Sequence, residues 1–500
     1  MPQEKVRPEI IFGLVGPIGC SIHNVAKALS GVLKEVDYTP IVISLSEIIQ
    51  KNLPEDADDE LKNPKTLQNK IDAGNYVRKH HNKNGILAAL SISAIKFHRD
   101  SIHKLRGITA PIIDDETAIL SDIPAAGTAY ILDQLKRPEE VDLLERVYGP
   151  RFIQVSVTES LDNVKEHLRN RTVTDQPGLT DGEIERVVTD LIAKDQDEDE
   201  NPNGQRITSI FHRGDVFIDA SDTDATLRTT RRFVHALFGK NEIGPTRDEM
   251  GSYHAKAVSL RSVDMSRQVG AAITNKLGDI ISLGCNDVPK PMGGQYWYED
   301  NDKARDIDKS HEANKAETAR IAFDLLRVLQ QSEIIHVSPD DILQDSALRK
   351  RILDSKIGEI TEYGRMVHAE MAAITDAARL GRSVEDATLY VTTFPCHNCA
   401  KHVIASGIRR VVFIEPYPKS KALSLFGHAI SQDKSKCDKV IFEHFSGISP
   451  KRFRDIFEKG KRRGKDGKIN EWYHGIPYPM LRYLDADYIL PENSAISDNI

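Results

Sequence analysis

Cysteine is scarce: five in 500 residues. That number is small and odd, which excludes a disulfide framework and fits a reducing compartment. Aromatic residues make up only 6%, with two tryptophans. No stretch approaches the roughly 18 uninterrupted apolar residues of a membrane-spanning helix. Positive charge is not in excess either, since 67 Lys and Arg stand against 75 Asp and Glu, a net charge of −8. Attachment to nucleic acid or to a membrane by bulk charge is therefore not expected. The opening residues, MPQEKVRPEI, carry charges where an export signal needs an apolar run, so a cytoplasmic protein with no membrane partner is the expectation. Apolar material is plentiful at 40%, and at about 150 residues per domain the length suggests two to four domains.

The first 240 residues alternate between short apolar runs and helical patterns. Strands are expected at EIIFGLV (9–15), PIVISL (40–45), AYILD (129–133), FIQVSV (152–157) and VFID (216–219). Helical patterns separate them, as in a wound, mostly parallel sheet. Residues 51–65 read as a loop, and the run DQDEDE (195–200) as a solvated acidic loop. Turn residues cluster over 239–251, where a boundary is placed. Beyond it come strands near 269–274 and 280–283, a polar helix-rich insert (299–362), and a helix near His368. A strand at 388–391, a helix from Cys396 and a strand at 411–414 follow. The segment 451–468 is basic and precedes an aromatic, proline-rich tail.

Two short motifs carry the chemistry. His368-Ala369-Glu370 opens one helical run, and Pro395-Cys396-His397-Asn398-Cys399 opens another. Alone, an H-x-E triplet says little, and a C-x-x-C pair suits a redox couple or half of a structural zinc site. Together they supply three N/S ligands, His368, Cys396 and Cys399, and leave one position open, as in a catalytic zinc site. Helix N-termini favour thiolates at such positions, and Pro395 suits a helix start. Glu370, two residues from its ligand neighbour, is placed to take a proton from water and deliver protons to a substrate nitrogen. Cys20, Cys285 and Cys437 read as apolar fillers, and His397 and His402 as neighbours of the site or surface residues.

This pair of motifs, in a strand-helix-strand frame, resembles the zinc-dependent cytidine/deoxycytidylate deaminase superfamily. SRQVGAAI (266–273) resembles its first core strand, and IISLGCNDVP (280–289) its second, over a stretch covering about 252–447. The resemblance implies that Asn286 binds the nucleotide sugar, that zinc is the cofactor and that the protein is a homo-oligomer. In the loop EPYPKS (415–420), Tyr417 is a candidate for stacking on a base and Lys419 for meeting a phosphate.

In the N-terminal half, GLVGPIGCS (13–21) lies between a strand and a helix, the place of a phosphate-binding loop. Aligning Gly19 and Ser21 with that motif leaves Leu14 in the first glycine slot and Cys20 in the lysine slot. The backbone of Gly16, Gly19 and Ser21 remains a candidate anion nest, but the motif's own cation is missing. The stretch AYILDQLKRPEE (129–140) resembles nucleoside and nucleotide kinases, with Asp133 as a metal-side carboxylate and Arg169 and Arg171 where lid arginines fall.

The expected architecture is therefore α/β throughout. A degenerate P-loop kinase-like regulatory domain with a wound parallel sheet (1–240) precedes a deaminase-like α/β/α sandwich (250–450) and a C-terminal extension (451–500). This pairing resembles the bacterial anti-phage dCTP deaminases. It implies deamination of deoxycytidine nucleotides (dCTP and also dCMP), depletion of the dCTP pool in antiviral defence, a nucleotide effector at the N-terminal domain, and restraint by a small RNA. For that RNA, 451–468 is the candidate contact. The alternatives are a tRNA or single-strand base deaminase, and a nucleotide-sensing or kinase protein in which the N-terminal half is the main actor.

Overall fold

The structure, a computed structural model, describes all residues except 1–5, 110–111, 114–115, 118, 197, 199–200, 311, 361, 418, 465 and 483–487. Contacts divide the chain into two compact units, Met1–Met250 with His444–Ile500, and Gly251–Glu443.

The first unit rests on β1 (Ile10–Val15), β2 (Thr39–Ser44), β5 (Thr128–Asp133), β6 (Phe152–Thr158) and β7 (Val216–Asp219), with a small hairpin of β3 (Ile112–Ile113) and β4 (Glu116–Thr117) beside them in sequence. The five main strands lie parallel in the order β7-β6-β1-β5-β2. β1 is buried at all six positions, as a central parallel strand covered on both faces must be. Helix Ile22–Glu35 buries Ile22, Val25, Ala26, Leu29, Val32 and Leu33, a stripe at helical spacing that joins the main core. A second cluster holds Val164, Leu168, Ile184, Val188 and Leu191, from helices Leu161–Asp175 and Asp181–Gln196.

Several charged residues are deep inside this unit. Arg99 is fully buried and meets Glu9 and Glu492, each at 2.9 Å. Tyr148 donates to Glu492 at 2.8 Å, so the helix Ile489–Asn499 is tied down through its own carboxylate. The run 195–200 differs from the solvated loop expected of it. Asp195 is 1% exposed, because it accepts from the Ile18 N–H and pairs with Lys136. Glu198 accepts from Asn75, and Asp197, Asp199 and Glu200 lie outside the described residues. Residues 51–65 also contain a short helix, Asp59–Lys62.

The second unit is built on β8 (Gly270–Thr274), β9 (Ile280–Cys285), β10 (Thr388–Thr393), β11 (Arg410–Glu415), β12 (Ile430–Ser431) and β13 (Val440–His444), in the order β12-β13-β11-β10-β8-β9. β9, β8 and β10 pair antiparallel, whereas β10 and β11 pair parallel. The insert forms helices with little buried surface; Ala313–Gln331 buries Thr318 and Ala322. Cys437, expected to be a filler, is exposed, because it sits in a turn where its carbonyl accepts from Arg409.

After β13 the chain returns to the first unit. β14 (Gly447–Ile448) pairs antiparallel with β7 and completes a six-stranded sheet. Ile448 N–H donates to the buried Glu249 carboxylate at 2.8 Å, and Arg452 donates to the buried Asp215 at 2.9 Å. Lys451 pairs with Glu145. Part of the basic segment is thus neutralised within the unit, and Lys465 lies outside the described residues.

Helix Ala369–Arg379 lies so close over β9 that a Cβ at Gly284 would come within 2.3 Å of Ala369 O and 2.4 Å of Ala373 N. Overpacking of this kind costs about 1–3 kcal/mol, so Gly284→Ala is expected to lower Tm by roughly 2–12 °C in calorimetry. Gly31→Ala, in a helix where nothing lies within 4 Å of the added carbon, leaves Tm unchanged or raises it.

Candidate metal centre

Two helix starts meet at the ends of the second sheet. His368 is the N-cap of helix Ala369–Arg379; Cys396 is the N-cap of helix His397–Ala405 and Cys399 lies in its first turn. The residue before His368 is pinned beside the end of β9, since Val367 N–H donates to Asp287 O at 3.0 Å. At the exit of β10, Phe394 N–H donates to Glu415 O at 2.8 Å, and Ser420 donates to Pro395 O at 2.8 Å. These bonds fix the approach to Cys396.

His368 Nδ1 lies 3.4 Å from Cys396 Sγ and 3.3 Å from Cys399 Sγ. The three ligand atoms all fall within 4.8 Å of one another, the one such group among the described residues. A tetrahedral zinc with ordinary Zn–N and Zn–S bonds spaces nitrogen and sulfur about 3.6 Å apart, so this borderline-soft donor set fits the ion. Of the two thiols Cys396 ionises first: hydrogen bonding with Cys399 and with His368 holds it down to about 4. The helix N-terminus acts in the same direction.

Glu370 follows in the first turn, 4% exposed and not among the ligand atoms. Burial pushes its carboxyl above the usual range, toward the pKa at which a side chain can both take and give a proton.

Asn286 directly follows β9 and is 7% exposed. Its amide Oδ1 accepts from Val269 N–H at 2.7 Å and its Nδ2 donates to Arg267 O at 2.9 Å. It therefore ties β9 to the lead of β8. Tyr417 is half-buried against the core of the unit, and the Arg267 guanidinium lies 5.3 Å from its ring centre while pairing with Glu415 at 2.9 Å. Arg267 and Glu415 lie at the start of two segments the sequence singles out, SRQVGAAI and EPYPKS, but their partnership joins positions 148 residues apart, beyond any local pattern. Lys419 is exposed and Pro418 lies outside the described residues. His397 is half-buried and His402 exposed, and neither joins the ligand group. Cys285 is a buried filler whose thiol burial pushes up to about 11.

The first unit holds the other candidates. Gly16 O accepts from Lys136 Nζ at 3.0 Å, Gly19 has φ +79°, and Ser21 is the N-cap of helix Ile22–Glu35. Burial raises the carboxyl of Asp133 and, more strongly, the thiol of Cys20. Arg169 pairs with Asp181 and Glu185, and Arg171 with Asp175, all between or within the helices Leu161–Asp175 and Asp181–Gln196.

Residues 246–415 match the family model for the cytidine and deoxycytidylate deaminase zinc-binding region. That span contains Asn286, His368, Glu370, Cys396 and Cys399. The chain is 53% identical over 55 residues to a deoxycytidylate deaminase of Enterobacteria phage T2, covering 11% of this chain and 29% of that protein. It is 24% identical over 191 residues to a human deoxycytidylate deaminase, covering 37% and 77% of the two chains. It is 32% identical over 113 residues to a tRNA-specific adenosine deaminase of Bacillus subtilis, covering 21% and 70%. The chain thus spans under a third of the length of the phage relatives it matches.

Replacing any one of His368, Cys396 or Cys399 by Ala is expected to reduce zinc from about one ion per chain to a small fraction of that, measured by plasma mass spectrometry after desalting. Cys285→Ala should leave the zinc content intact.

Proposed function

The chain belongs to the cytidine and deoxycytidylate deaminase superfamily, and we propose that it hydrolyses the 4-amino group of deoxycytidine nucleotides, releasing ammonia and deoxyuridine nucleotides. The observation that carries this reading is the convergence of His368, Cys396 and Cys399 beside the buried Glu370. Zinc, when bound, supplies Lewis acidity and makes water a nucleophile at neutral pH.

Glu370 does the proton work. Its carboxylate takes a proton from the water that adds to C4 of the ring, and passes that proton to N3. It then carries a second proton from the new hydroxyl to the amino group. The C4–N bond breaks, ammonia leaves, and a C4 carbonyl remains. The raised carboxyl pKa suits both directions of transfer. Asn286 holds the sugar: a side-chain amide has two N–H bonds, and Arg267 O takes one. Tyr417, steadied by Arg267, offers a face to the base. Lys419, which is exposed, meets phosphate.

The resemblance of the whole arrangement, a nucleotide-kinase-like unit joined to a deaminase unit, supports the finer reading. In it dCTP and dCMP are the substrates, the reaction drains the dCTP pool in antiviral defence, the first unit is the regulatory half, and the enzyme assembles as a homo-oligomer. A small RNA is the restraining partner, bound by those basic residues of 451–468 that are not spent internally as Arg452 is. A second reading, a base deaminase acting on tRNA or single strands, draws on the likeness to the Bacillus subtilis protein.

Assaying ammonia from dCTP, dCMP and single-stranded oligonucleotides separates the two readings. Release is expected from the free nucleotides. Glu370→Ala should keep zinc and the fold while cutting turnover by about 10²–10⁴-fold or more. Undiminished turnover in that variant, or turnover of the oligonucleotide alone, contradicts the proposal.

A further inference from the structure

The glycine loop of the first unit (residues 13–21) sits between β1 and helix Ile22–Glu35, where backbone N–H groups and the helix end attract an anion. Two of those N–H groups already face carboxylates. Ile18 N–H donates to Asp195 Oδ2 at 2.7 Å, and Ser21 N–H donates to Glu159 Oε2 at 2.7 Å. Both carboxylates are shielded, Asp195 at 1% exposure and the Glu159 side chain at 2%.

A cation is present as well, though not from the loop. Cys20 holds the slot where the motif keeps its lysine, yet Lys136, from the segment after β5, places Nζ 2.6 Å from Asp195 Oδ1 and 3.0 Å from Gly16 O. The covering elements are the ones that bring the carboxylates. Glu159 lies just before Ser160, the N-cap of helix Leu161–Asp175, and Asp195 is near the end of helix Asp181–Gln196. Leu168 of the first helix lies directly over the loop: a Cβ at Gly19 would meet its Cγ at 2.7 Å. The two helices share an apolar cluster with each other. Loop, cation and both carboxylates therefore form one closed arrangement.

We propose that this loop is self-liganded: Glu159 and Asp195 occupy the place of a phosphate, Lys136 acts as the loop's cation, and a phosphate-bearing ligand can enter only when the two carboxylates withdraw. The Glu159 and Asp195 carboxylates, with Lys136 on Asp195 and the His167 ring 3.7 Å from Glu159, hold negative charge where an incoming phosphate would sit and so oppose its entry. Removing both charges while keeping side-chain shape should turn the loop into an open anion site, with Lys136 freed to pair with the ligand. This inference concerns the first unit and does not rest on the deaminase reading.

The test is calorimetric titration of inorganic pyrophosphate into the full-length chain. The double variant Glu159→Gln/Asp195→Asn is expected to bind at least about tenfold more tightly than wild type. Adding Gly19→Val, which fills the space under Leu168, should abolish the gain. Equal affinity in wild type and double variant overturns the proposal, and so does a gain that survives Gly19→Val. Hydrogen exchange on the unaltered protein gives an answer even where the variants do not fold. Without any ligand, the Ile18 and Ser21 amides should be slowed by about a hundredfold or more relative to an open loop; exchange at open-loop rates contradicts the proposal.

Discussion

One nitrogen and two sulfurs, supplied by positions 28 and 31 residues apart, must be held within a few ångströms, and the second unit is organised around that demand. Gathering such groups out of water is costly unless something compensates the charge they develop. The fold compensates by meeting at two helix N-termini, where N–H groups and the positive dipole end favour thiolate. The close approach at Gly284 sets the height of the first helix above β9, and the Val367–Asp287 pairing sets where His368 begins. Glu370 inherits its position from the same helix. Moving that helix by a side chain's width would take His368 away from Cys396 and Cys399, and Glu370 with it.

The first unit handles buried charge by another route, with acidic groups turned inward and matched inside the protein. Arg99 serves Glu9 and Glu492, Arg452 serves Asp215, and Arg232 with the Ile448 N–H serves Glu249. Breaking such a pair leaves an uncompensated charge, which costs far more than the intact pair contributes. Two of these matches, at Asp215 and Glu249, also hold the returning C-terminal segment. The glycine loop follows the same rule, with carboxylates of the chain on its N–H groups. In each case a buried charge of the first unit is answered by a group of the same unit.

Much of this was legible in the sequence because it is written locally. Apolar runs such as IIFGLV mark buried strands, and H-A-E with P-C-x-x-C marks two helix starts carrying metal ligands. The rest depends on partners far away in the chain. Asp195 reads as part of a solvated acidic run, and nothing near it announces Ile18, 177 residues earlier. Arg452 reads as one of several basic residues, yet Asp215, 237 residues away, takes it inside. β14 is two residues long, too short to carry an alternating pattern. Asn286 appears in a motif, but its backbone partners at 267 and 269 give it a structural duty the motif does not announce.

In the proposed reaction water adds at C4 of a deoxycytidine nucleotide and ammonia leaves. Incubating the zinc-loaded protein with dCTP or dCMP in ¹⁸O-labelled water, and weighing the product by mass spectrometry, tests it most directly. The expected product is a deoxyuridine nucleotide carrying one labelled oxygen on the base, formed together with ammonia. A product without the label, or no product from any deoxycytidine nucleotide, would contradict it.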